Sequence, residues 1–75
     1  MPLTDVKLNT NCIITEINIK DDKTKLRLME LGMLVGAKLK VANKSLLKQT
    51  MLIIFNSSCF TLKADTAKNI LINYV

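Results

Sequence analysis

The sequence contains no histidine, which removes the side chain most used as a general base at neutral pH and the commonest neutral metal ligand. Ser45, Ser57 and Ser58 sit in no Gly-x-Ser-x-Gly setting, and neither Cys12 nor Cys59 has an imidazole to activate it. Two glycines in the whole chain cannot build a phosphate-cradling loop of the Walker or dinucleotide kind. The sequence therefore assigns no catalytic and no cofactor-binding residue, and the chain does not read as an enzyme.

Other scarcities exclude other classes. Of eleven Lys and Arg residues, Arg27 is the sole arginine, whereas specific phosphate and base recognition favours the bidentate guanidinium fork. The three aromatics, Phe55, Phe60 and Tyr74, are few for a base-stacking platform. The formal charge of +5 thus reads first as a solvated basic surface, and no nucleic-acid partner is expected.

Cys12 and Cys59 belong to no Cys-x-x-Cys pair, so they are expected to be buried small hydrophobes and not a zinc or redox site. The adjacent carboxylates of Asp21 and Asp22 suit a helix N-terminus far better than a metal, and no metal site is assigned. The longest strongly apolar run, Met51 to Phe55, cannot span a bilayer, and the N-terminal residues lack a signal-peptide pattern. A cytoplasmic protein with reduced thiols and no membrane insertion is expected.

At 75 residues, 49% apolar and 23% charged, the chain is large enough for one core and too small for two, so residues 1–75 read as a single domain. Residues 11–19 alternate as a strand with Ile13, Thr15, Ile17 and Ile19 on one side, while Cys12 and Ile14 make the other side only partly polar. Asp21 or Asp22 caps a short helix running to about Leu31, with Leu28 and Leu31 as its core-facing stripe. Gly32 fits a left-handed helix terminus, and Gly36 fits the positive φ of a type II turn.

Ala37, Leu39 and Val41 alternate with Lys38 and Lys40 in a second strand, and residues 44–50 read as a loop with Leu46 and Leu47 in it. Met51 to Phe55 and Cys59 to Lys63 form a hairpin about Asn56-Ser57-Ser58. Asp65 is placed as the cap of one helical turn over Ala67, before a last strand carrying Ile70, Ile72 and Tyr74. The result is a mostly β domain of about five strands with one short α-helix between the first and second. Closing such a sheet into a small barrel buries its apolar faces and removes exposed edges.

The run Arg27-Leu28-Met29-Glu30-Leu31-Gly32-Met33-Leu34-Val35-Gly36, continuing through Ala37-Lys38-Leu39-Lys40-Val41, resembles the signature of the FeoA domain, the small ferrous iron transport protein A family. Pro2-Leu3 with Leu8, Phe60-Thr61-Leu62-Lys63, and Ala67 with Ile70 and Ile72 extend the resemblance over essentially the whole chain. Val35 stands where the family usually has proline, but Gly36 still supplies the positive φ that the turn requires. The glycine often found in the family's opening turn is missing from residues 9–11, and Cys59 replaces a frequent aromatic.

The resemblance implies an SH3-like barrel that serves ferrous iron uptake as an interaction module for FeoB, the membrane transporter with a GTP-binding domain. Two alternatives stay open at this point: an SH3-like nucleic-acid-binding module and a free-standing transition-metal-sensing accessory domain. Candidate partner-binding residues are Arg27, Met29, Glu30 and Met33 on and after the helix, with Leu46 and Leu47 at the loop tip. Gly32 and Gly36 are assigned structural turn roles. The strand edges and the two loop leucines also leave weak self-association open.

Overall fold

The computed structural model describes residues 1–45, 47 and 49–75. Five antiparallel strands follow one another as β1 (Cys12–Ile17), β2 (Lys38–Ser45), β3 (Thr50–Phe55), β4 (Ser58–Lys63) and β5 (Ile70–Tyr74), with helix α1 (Asp22–Leu31) between β1 and β2. A one-turn helix α2 (Ala64–Ala67) links β4 to β5, and a 3-10 turn (Leu3–Asp5) opens the chain. The strand order is β4-β3-β2-β1-β5. β1 and β2 meet over only two residue pairs, Cys12 with Leu39 and Ile13 with Lys38, so the sheet is jointed there. This is the mostly β, SH3-like architecture with its single longer helix between β1 and β2.

Two bulges reset which side chains face inward. Along β1, the register with β5 passes from Ile14 opposite Ile72 to Glu16 opposite Leu71, leaving Thr15 as an extra residue. Before it, Cys12 and Ile14 are buried; after it, Ile17 and Ile19 pack on the core. The expected single apolar face of Ile13, Thr15, Ile17 and Ile19 is therefore corrected, because one inserted residue inverts a period-two pattern.

Along β2 an extra residue lies between Val41 and Asn43. This puts Lys44 opposite the buried Met51, within β2 and not in the loop assigned to it. The Lys44 ammonium donates to the carbonyl oxygens of Thr4 at 2.8 Å and Val6 at 2.7 Å, tying the N-terminal turn to the sheet.

The edges are finished differently. Pro2 bridges to Leu71, and the Ile72 N–H donates to Met1 O at 2.7 Å, so the N-terminus lies along β5. Among the described residues β4 has only β3 as neighbour. The expectation that closure removes the edges is corrected: β4 and β5 do not pair, and no described residue pairs with the outer side of β4.

α1 begins as its sequence dictates. Asp21 precedes the first turn in extended conformation and accepts hydrogen bonds from the Thr24 hydroxyl and from Thr24 N–H at 3.2 Å. The helix ends in a Schellman motif: Gly32 at φ 87 sends its N–H to Met29 O at 3.0 Å, and Met33 N–H donates to Leu28 O at 2.9 Å. Gly36 at φ 95 then occupies the third position of a turn closed by Ala37 N–H on Leu34 O at 2.9 Å. Asp65 lies inside α2, whose N-terminal flanking residue is Lys63, so its expected capping role is corrected; it pairs instead with Lys68 at 3.7 Å on the surface.

The two glycines differ in surroundings, which separates their expected costs. A Cβ on Gly36 would meet nothing within 4 Å, whereas one on Gly32 would lie 3.3 Å from the Phe55 ring. Gly36→Ala should destabilise by about 1–2 kcal/mol, from the left-handed backbone alone. Gly32→Ala should cost more, and urea unfolding of both variants measures the difference.

The Thr24 hydroxyl, followed by Thr24 N–H, holds the Asp21 carboxyl below its ordinary pKa. A folded-state pKa below the unfolded one means the cap contributes fully above the unfolded value and fades as pH falls through the folded one. Asp21→Ala should lower stability near neutral pH. The difference from wild type should shrink below the ordinary carboxylate range, as read by unfolding curves across that range.

Candidate functional site

Of the ten α1 residues only Leu28 is buried, and Thr24 is half-buried. A ten-residue helix is marginal in isolation and depends on tertiary packing, here supplied by Leu28 together with Met33 just beyond the Schellman turn. Leu26, Met29 and Leu31 remain exposed, as do Leu34 and Val35 on the following turn. An apolar surface gathered on one helix and its exit loop is the kind of patch that marks a contact site.

Hollows flank the helix on both sides. A groove of about 220 Å³ is lined by Met29, Leu34 and Val35 over a floor that includes Ile17, Leu28 and Met33. On the other side a cleft of about 750 Å³ separates Arg27, Leu28 and Leu31 from Leu52 of β3 and the β4 run Cys59 to Lys63. α1 is thus the shared wall of two concave, largely apolar surfaces.

Against this geometry the candidate residues divide. Arg27, Met29 and Glu30 are exposed on α1. Met33 is 0% exposed, so its candidacy as a contact residue is corrected: the Schellman turn directs it into the core beside Leu28. Leu31, expected in the core-facing stripe, is exposed instead. The available signal was the apolar residue directly after Gly32, because that position of a Schellman motif commonly contacts the residue five before it. Leu47 is 99% exposed at the β2–β3 tip, away from both hollows; Leu46 lies outside the described residues. Leu34, Val35, Leu52 and Phe60 were missed as site residues, since they become neighbours of α1 only through the fold.

Among the described residues no group of three or more Cys, Asp or Glu side chains is placed to hold a metal ion. None of their helices is long and apolar enough to cross a membrane. The arrangement offers shape, apolar surface and scattered charge, which suit recognition of a partner.

Comparisons with known proteins point to one family. The sequence profile of the FeoA domain family matches residues 1–74. A candidate Fe(2+) transport protein A of Campylobacter jejuni is 31% identical over 75 residues, the full length of both chains. The solution structure of FeoA from Chlorobium tepidum superimposes with a TM-score of 0.90 at 27% identity, covering all of this chain and 70% of that one. FeoA from Stenotrophomonas maltophilia, a prokaryotic SH3-domain protein crystallised with zinc, gives a TM-score of 0.80 at 22% identity over 97% of this chain and 89% of that one.

The cysteines also separate. Cys12 is buried and its thiol donates to Leu39 O at 3.4 Å, with burial pushing its pKa up; Cys59 is exposed on β4, which corrects the expectation that both are buried. Since the thiolate is the reactive form, iodoacetamide should modify Cys59 in the native protein and Cys12 only after urea unfolding. Peptide mass mapping checks both outcomes.

Proposed function

The chain belongs to the FeoA domain family of ferrous iron transport-associated, non-enzymatic proteins, and from that membership we propose that it is a cytoplasmic interaction module for a FeoB-type ferrous iron transporter. The observation that carries this reading is α1 itself, an ordered helix that buries one of its ten residues and presents apolar surface beside hollows on both flanks. A helix held this lightly to its own barrel gives its free surface to another protein. The net charge of +5 supports a working position near the anionic cytoplasmic leaflet, where basic proteins are concentrated without insertion.

Within the module, Arg27, Met29 and Glu30 are the contact residues we assign. Met29 brings an adaptable thioether and the two charges bring register. Leu47 is a secondary contact, as a fully exposed leucine on a loop tip.

The test is co-purification with the GTP-binding domain, and separately with the full-length form, of the cognate FeoB-type transporter. The wild-type chain should bind at least one of them. The triple variant Arg27→Ala, Met29→Ala, Glu30→Ala should bind about tenfold or more weakly, with an unchanged unfolding midpoint because all three side chains are exposed. Binding to neither form by the wild-type protein sinks the reading.

A further inference from the structure

The larger hollow has a feature that a generic contact patch lacks: one of its walls is an unpaired strand edge. Five consecutive β4 residues, Cys59 to Lys63, line the cleft, and among the described residues β4 pairs on one side only, with β3. The ladder fixes which backbone groups are free. Phe55 and Ser58 flank a two-residue turn, Asn56 and Ser57, both at positive φ, so they form a hydrogen-bonded pair. Strict alternation then makes Ile53 with Phe60 and Met51 with Leu62 the other bonded pairs. The next pair in phase is observed directly, Ala64 N–H donating to Gln49 O at 2.8 Å. Cys59 and Thr61 occupy the intervening positions, so their N–H and C=O groups point away from β3 toward the open side.

The opposite wall is α1, which contributes Arg27, Leu28 and Leu31 at helical spacing. Leu28 and Leu31, with Leu52 and Phe60, make that space mainly apolar, and among the described residues the charged side chains of its lining are Arg27 and Lys63. Neither cation has an ion-pair partner among the described residues. A strand edge, an apolar channel beside it and two unpaired positive charges together specify a ligand.

The geometry points to strand addition: the cleft between α1 and β4 receives an extended segment of a partner protein, alternating apolar and acidic residues, which adds to the sheet as a strand against β4. Its backbone hydrogen-bonds to Cys59 and Thr61, its apolar side chains fill the channel beside Leu28 and Leu31, and its carboxylates meet Arg27 and Lys63. Main-chain pairing supplies affinity and the alternating side chains supply selectivity. This deepens the interaction-module reading by giving the chemistry of the segment recognised; it does not require that the segment come from the transporter.

The probe is an end-blocked decapeptide of alternating valine and glutamate, titrated into the isotopically labelled full chain and followed by amide NMR. Saturable shifts should appear at Cys59 to Lys63 and along α1, with slowed hydrogen exchange at the Cys59 and Thr61 amides. Thr61→Pro removes an outward N–H without touching a ladder bond and should weaken binding about tenfold. N-methylation of the peptide's alternate amides should do the same, and it decides the matter should the proline variant not fold.

A valine-lysine peptide should bind wild type about tenfold more weakly, and Arg27→Glu should narrow that difference. Shifts located elsewhere, indifference to N-methylation, equal affinity for the lysine peptide, or β4 already protected by a second copy in a sedimenting dimer each overturn the proposal. Loss of transporter co-purification with peptide binding intact would refute only the assignment of the partner. Transporter binding unaffected by Thr61→Pro would refute only strand addition as its mode.

Discussion

Gly32 takes φ 87, and that single left-handed residue lets Met33 return its N–H to Leu28 O and bury its side chain completely. From the next turn Gly36 N–H donates to Ile14 O at 2.8 Å, while Ile14 N–H donates to Ala37 O at 2.9 Å, so the chain leaving the helix is fastened directly to β1. The helix has little else to hold it. Leu28 and Met33 are its buried anchors, and the Phe55 ring lies close enough to Gly32 to leave almost no room for a side chain there. The position of α1, and with it the shape of both hollows, follows from this one corner.

That dependence explains how a small chain keeps a recognition surface without sacrificing its core. Among the described residues, the sixteen buried hydrophobic ones come almost entirely from the strands, the N-terminal turn, α2 and the Met33 corner, with Leu28 the lone contribution from the body of α1. A helix that supplied a full apolar stripe to the core would add stability but would close the clefts beside it. Here the outer residues of α1 are released from packing, and their chemistry can be set by what they touch outside the chain.

Features governed by neighbours in sequence were legible from sequence. Asp21 and Gly32 bound α1 because capping is decided within a few residues, and Asn56-Ser57 turns the β3–β4 hairpin for the same reason. The bulges were not legible: an extra residue after Ile14 shows itself only against β5, and nothing in the alternation of β1 marks it. The same limit hid the role of Lys44, which reads as a polar loop residue until the β2 bulge turns it toward the carbonyls of Thr4 and Val6. Of the candidate site, Arg27, Met29 and Glu30 could be found as helix positions, whereas the facing wall of Leu52, Phe60 and β4 required the tertiary fold. Met33 reads from sequence as a contact candidate because a flexible thioether suits an exposed surface as well as a core, and the Schellman turn that sends it inward decides between the two.

The two sheet edges show which surface the fold leaves available. An exposed strand edge invites unwanted pairing, and proteins ordinarily cover it, charge it or bulge it. The β5 edge is covered by Met1 and Pro2, and the Lys44 ammonium secures the turn that follows them. β4 carries one exposed cation, Lys63, at its end, and its remaining length faces the cleft beside α1 with no covering segment among the described residues. The helix stands off from that edge because Gly32 and Met33 fix its far end, leaving a channel and not a packed seam. The constraint that seats α1 is therefore also what keeps β4 open.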